Sequence, residues 1–176
     1  MKSALQFVLF QGLWFAAVLG AARGLPWLGL VALAPYLAAH RLFLGESGAR
    51  LARGTALGLA GAAADCALAA VGLLRYPHSP EAWPSALVPP WIVALWIAFA
   101  LLPAHSLAWL APRPRLAFLL GALGGPLSAL GGVRAGALAR GEPRALALAL
   151  LALEYGVGTV LLLRLGSQRG LSGARP

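Results

Sequence analysis

Apolar residues run through this chain in six stretches, separated by short intervals that hold nearly all of its charges. The stretches cover about Ala4 to Ala22, Pro26 to Leu44, Thr55 to Leu74, Pro89 to Leu110, Leu116 to Leu138 and Ala145 to Leu165. A run of about 17–25 apolar residues crosses a hydrocarbon core of ~30 Å as a helix. The pattern therefore predicts an all-α fold, a polytopic bundle of six transmembrane helices forming one domain over residues 1–176. Pro26-Trp27 suits a first helical turn at a membrane interface. The longest connections are the stretch around Glu46 to Arg50 and the segment from Arg75 to Pro84, whose prolines and Trp83 suggest a rigid surface loop. Lys2 ahead of the first run and the small residues Gly20-Ala21-Ala22 would also fit a secretory signal, which would leave five spans. The run is longer than the ~7–15 residues of a usual signal core, so six spans are expected.

Composition agrees with this pattern. Of 176 residues 60% are apolar and only 11% are Asp, Glu, Lys or Arg, against about 25% charged in a soluble domain. There is too little polar material to cover a water-facing surface. A single Cys excludes a disulfide framework and a thiolate-rich metal site. The formal net charge of +9 does not imply nucleic acid, because the cations are scattered between the apolar runs and form no basic face. Such positions are where juxtamembrane cations set topology. Lys2, Arg41, Arg50, Arg53, Arg113, Arg115, Arg164, Arg169 and Arg175 fall on one side and Arg23, Arg75, Arg134, Arg140 and Arg144 on the other. The excess places both termini in the cytoplasm, with the loops at Arg23, Arg75 and Arg140 outside.

Helices in a bilayer associate by close approach at small residues and by buried polar contacts. Gly121, Gly125, Ser128, Gly132 and Gly136 share one face of the fifth run, and Gly54, Gly58, Gly61 and Asp65 one face of the third. These two helices are expected to be central, with their glycines packing against neighbours.

Ionisable groups inside a membrane cost at least ~2.5–3.5 kcal/mol each when central and so count as functional candidates. Asp65 and Glu154 both fall near the midplane at a rise of ~1.5 Å per residue. Ser128 and Gln11 reach similar depth, and Trp14 and Trp96 are deep enough to line a pocket. His105 follows Pro103, which leaves the carbonyl of Phe99 without its usual helical donor. If Asp65, His105 and Glu154 converge, two readings stand open. One is a proton-exchanging, catalytic or substrate-holding site, with Gln11, Trp14, Trp96 and Ser128 contacting substrate. The other is an interhelical hydrogen-bond clamp. Arg134 is expected to snorkel to headgroups. Glu142 and Glu81 read as solvated loop charges, and Trp27, Trp83, Trp91 and Trp109 as an interfacial belt.

Phosphate-loop, zinc-protease and serine-hydrolase signatures are absent. No cofactor is implied. A metal site is not expected, since His40 and His78 belong to opposite sides, and no repeated broken-helix pattern supports an inverted-repeat transporter.

The segments Phe10-Gln11-Gly12-Leu13-Trp14-Phe15, the Asp65 helix, Pro90 to Phe99 leading to His105-Ser106-Leu107-Ala108-Trp109-Leu110, and Gly121 to Ser128 followed by Gly132 give the chain a further character. Across nearly its whole length it resembles a family of small bacterial inner-membrane proteins classed as a domain of unknown function. The resemblance implies no activity and gives no residue a role. That family is similar to proteins often encoded near enzymes that modify unsaturated or cyclopropane fatty acids, which implies lipids as partners. Ala129 and Leu130 stand where the resemblance would place aromatic residues, which counts against stacking of the fifth helix on a ring.

The expected function is binding or processing of a lipidic, fatty-acyl substrate in an intramembrane cavity whose polar end is formed by Asp65, His105, Ser128 and Glu154. A small vitamin-like uptake component or proton-coupled permease is a second expectation. A non-catalytic assembly partner that docks a membrane protein, or a homo-oligomer, is a third.

Overall fold

The computed structural model describes residues 1–79 and 83–166. Glu81, Arg169 and Arg175, counted above among loop and terminal charges, lie outside the described residues. Six α-helices are found among the described residues: α1 (Lys2–Ala22), α2 (Leu28–Leu42), α3 (Gly48–Ala70), α4 (Pro90–Leu101), α5 (Pro114–Ala135) and α6 (Arg144–Gly166). Two short 3-10 turns, Leu102–Ala104 and Ala108–Leu110, follow α4. A two-residue antiparallel ladder, β1 (Leu74–Arg75) with β2 (Ala139–Arg140), ties the connection after α3 to the connection after α5. Gly141 lies so close to the carbonyls of Gly72 and Leu73 there that no Cβ fits.

Helix ends follow local chemistry. The Ser47 hydroxyl accepts from the Arg50 amide at 3.2 Å, so α3 starts at Gly48, ahead of the Thr55 expected from hydropathy. Pro90 and Pro114 occupy first-turn positions, where the missing N–H costs nothing. Gly136 ends α5 in the left-handed conformation, with φ at 85°. Pro103 ends α4 early. Its ring cannot continue the helix, the Leu102 amide takes the Phe99 carbonyl instead, and the chain tightens into 3-10 turns. The fourth stretch is thus a 12-residue helix plus an irregular tail rather than one span to Leu110.

The centre of the bundle is α4. It packs against α1, α2, α3 and α6, and nine of its twelve residues are buried. A helix apolar on every side belongs in the interior. This corrects the expectation that the third and fifth helices are central, since each glycine face pairs with one neighbour. Gly58 of α3 lies where a Cβ would stand 2.7 Å from the Ile97 amide nitrogen, and Gly61 lies flat on the Trp96 ring. On α5, a Cβ at Gly125 would stand 2.5 Å from Tyr155 Cγ, and Gly121 abuts the Tyr155 carbonyl and Thr159. The fifth helix therefore does pack on a ring, one supplied by α6. Trp91 is a further correction, being 4% exposed in the core rather than part of a belt. Trp27 and Trp109 are half exposed, and Arg134 is exposed as expected.

Three helices, α1, α5 and α6, are long and apolar enough to cross a membrane, and Leu28–Leu42 and Pro90–Ala104 are shorter apolar segments. Large apolar side chains such as Val8, Val31, Leu123 and Leu127 are each more than 60% exposed on the flanks. The signal-like α1 is part of the bundle: it contributes buried Gln6, Leu13, Ala17 and Val18.

Candidate functional site

Asp65 of α3 and Glu154 of α6 meet. Their carboxyls stand within reach of each other, the convergence that the sequence left open. A hydrogen bond between two carboxyls needs a proton on one of them, because two carboxylates offer acceptors only. Asp65 is 2% exposed, and its Oδ2 accepts from Trp96 Nε1 at 2.7 Å. Asp65 Oδ1 and Glu154 Oε1 are buried with no hydrogen-bond partner, and so is the hydroxyl of Tyr76 nearby. The groups that act on the pair are the Trp96 indole and the two carboxyls themselves. Burial, and after it the neighbouring Asp65, Cys66 and Glu154, push the Tyr76 hydroxyl well above its ordinary value of 10.

Beside this pair lies a cavity of about 450 Å³ between α1, α4, α5, α6 and the turn at Leu107–Leu110. Gln11, Trp14, Trp96 and Ser128, the four residues expected to contact substrate, all line it. Trp14 Nε1 donates to Ser128 Oγ at 3.0 Å, which fixes both side chains in its wall. The rest is apolar: Phe10, Leu95, Phe99, Leu120 and Leu127, with Gly121, Gly124 and Gly125 flooring the α5 side. Phe15 and Leu127, more than half exposed, belong to the same lining, so the cavity reaches the flank of the bundle. Trp96, Phe99 and Tyr155 form a ring cluster with centroids 4.7 to 6.0 Å apart between this cavity and the acids. A second chamber of about 50 Å³ lies behind Trp96 and Tyr155, lined by Asp65, Tyr76, Leu74, Leu138 and Ser128 among others.

His105 does not join this site. Because Pro103 ends the helix, His105 lies beyond it, and its Nε2 is 2.8 Å from Glu46 Oε1. Arg50 Nε holds the other oxygen at 2.9 Å. Around this second cluster, Arg41 donates to the Glu46 carbonyl, Lys2 to the Leu44 carbonyl and Gln6 Nε2 to the Leu101 carbonyl, while Ser106 N donates to Gln6 Oε1. The sequence reading missed Gln6, Glu46 and His40, all buried. Their signal was present only as polar residues near the ends of apolar runs. His40, read as a loop residue, is fully buried in the last turn of α2. Among the described residues no group of three or more His, Cys, Asp or Glu could hold a metal ion.

The arrangement defines an apolar helical bundle with a flank-reaching cavity and a buried carboxyl pair behind its aromatic wall. The family described as "Protein of unknown function (DUF2878)" matches residues 3–161, and the chain belongs to that family. No curated protein and no solved structure matches it.

Proposed function

We propose that this is a multi-pass bacterial inner-membrane protein, with six spans and both termini cytoplasmic, that binds a lipidic, fatty-acyl ligand in its lateral cavity and presents it to the Asp65–Glu154 pair. The observation that carries this reading is the 450 Å³ apolar cavity on the flank, which gathers Gln11, Trp14, Trp96 and Ser128. Its support is chemical. An acyl chain needs dispersion contacts and few polar ones, which the cavity supplies. Large apolar side chains exposed along the flanks, such as Val8, Val31, Leu123 and Leu127, suit contact with lipid tails. The Trp96 ring lines the cavity while its indole nitrogen donates to Asp65, so it couples a ligand there to the acid pair. Ligand-contacting roles fall to Gln11, Trp14, Trp96 and Ser128, and proton exchange to Asp65 and Glu154. His105, beside Glu46, is given a structural role instead of the catalytic one expected from sequence.

The test is mass spectrometry of total lipids from a host with and without the gene, complemented by wild type or Asp65→Asn. A changed acyl profile restored by wild type alone is expected. An unchanged profile with correctly inserted protein would refute lipid processing and favour solute uptake or partner docking.

A further inference from the structure

The carboxyl pair is closed on one side and open on another. Toward the 450 Å³ cavity stand the stacked rings of Trp96, Phe99 and Tyr155. Toward the connections that hold β1 and β2 stands the small chamber, in whose wall Asp65 and Tyr76 both take part. Asp65 Oδ1 and the Tyr76 hydroxyl, both on residues of this wall, are buried with no hydrogen-bond partner, as is Oε1 of the neighbouring acid Glu154. Unpaired buried polar atoms in a native fold call for an explanation, and a site that is polar and large enough takes up water. A water occupies about 30 Å³ of liquid, so a chamber of about 50 Å³ admits one or two. Tyr76 belongs to the connection between α3 and α4, and its ring is fixed edge-on against Trp91 at 5.9 Å. It therefore stands between the pair and the solvent at that end of the bundle.

We propose that the chamber is a proton port: water in it, bridged by the Tyr76 hydroxyl, connects the Asp65–Glu154 pair to the bundle face that carries residues 72–79 and 136–143, and to no other face. In the step itself a hydronium in the chamber gives up one proton. An O–H bond breaks on it, one forms at Asp65 Oδ1, and the pair passes from one shared proton to two. The titratable groups that face the pair, Asp65 on α3 and Glu154 on α6, are Tyr76 on the connection, itself beside Cys66 of α3, and Tyr155 on α6. α4 contributes only Trp96 as a polar neighbour, and α1 and α5 carry no titratable side chains between Lys2 and Arg23 or between Arg115 and Arg134. The port rests on the reading of the pair as proton-exchanging and is independent of what fills the larger cavity.

Full-length protein is reconstituted in one orientation in proton-tight vesicles, and the pH is jumped on one face at a time in a stopped-flow fluorimeter. The reporter is the emission of Trp96, whose indole is bonded to Asp65, assigned by its loss in W96F and in D65N; the infrared band of protonated carboxyls in the same vesicles gives a second readout. The port predicts a fast response to acid on the face of residues 72–79 and none on the other. Tyr76→Phe keeps the ring and the end point but slows the approach about tenfold. Equal responses from both faces, a response from the opposite face alone, or an unchanged rate in Y76F would overturn the port while leaving the pair intact. No response from either face, by fluorescence or infrared, would overturn the exchanging pair as well.

Discussion

Glu46 and Asp65 are both carboxyl groups with almost no exposed surface, 4% and 2%, and they are satisfied in opposite ways. The Glu46 carboxylate sits between Arg50 and His105, and its backbone carbonyl accepts from the Arg41 guanidinium, near the end of the bundle. Asp65 has an indole and a second acid. A carboxylate surrounded by cations is a fixed charge that ties segments together, here the α2–α3 connection to the irregular tail of α4. A carboxyl beside another carboxyl is stable only with a proton between them, so its state is open to exchange. The difference separates a structural joint from a chemical one more sharply than depth in the bundle does.

Removing the charge at each place breaks this comparison most directly. Glu46→Ala leaves Arg50 and His105 without their partner and unlinks the α4 tail. Arg50 can partly rehydrate, so a loss of about 2–3 kcal/mol is expected in detergent thermal unfolding, below the ~3–5 kcal/mol of a fully buried pair. An unchanged melting temperature would deny Glu46 its structural role. Gly125→Ala should follow in size, at about 1–3 kcal/mol from overpacking, because its Cβ would enter the Tyr155 ring that walls off the acids. Retained stability there would mean that α5 and α6 separate easily.

Asp65→Asn is expected to cost under ~1 kcal/mol. The amide oxygen still accepts from Trp96, and the amide nitrogen replaces the shared proton as donor to Glu154. Its effect should appear in lipid processing instead, the reverse of Glu46→Ala. The smallest effect concerns Tyr76, held neutral by burial and by the nearby acids. Above about pH 10 the unfolded chain loses a proton that the folded chain keeps, so this contribution is complete below pH 10 and is lost as pH rises. Tyr76→Phe should therefore show a shallower fall in stability above about pH 10. An identical fall would place the alkaline sensitivity elsewhere.

Much of this architecture is written locally in the chain. Apolar runs and proline positions mark the helices, and the rise per residue sets Asp65 and Glu154 at the same height before any packing is known. Glycine spacing marked the interfaces as well, although it could not say which neighbour each face meets; Gly125 rests on Tyr155, thirty positions onward. What stayed hidden depends on where the chain turns. Hydropathy carries the fourth stretch through to Leu110 and His105 with it, whereas the Pro103 ring ends the helix and delivers His105 to Glu46. Gln6 and His40 were hidden for a related reason: each is a polar residue toward the end of a greasy run, with its surroundings supplied by the packing of other helices.

The central claim is that the flank cavity holds an acyl chain, and neighbouring glycines allow a direct test. A Cβ at Gly124 would meet no atom within 4 Å, although Gly124 lines the cavity, so Gly124→Leu fills the space without straining the α5–α6 contact. Native mass spectrometry of wild type and Gly124→Leu, both released gently from membranes, should show a bound lipid mass on wild type that the variant has lost while its melting temperature is kept. The same lipid retained by a folded Gly124→Leu protein, or no specific lipid on wild type, would contradict the account.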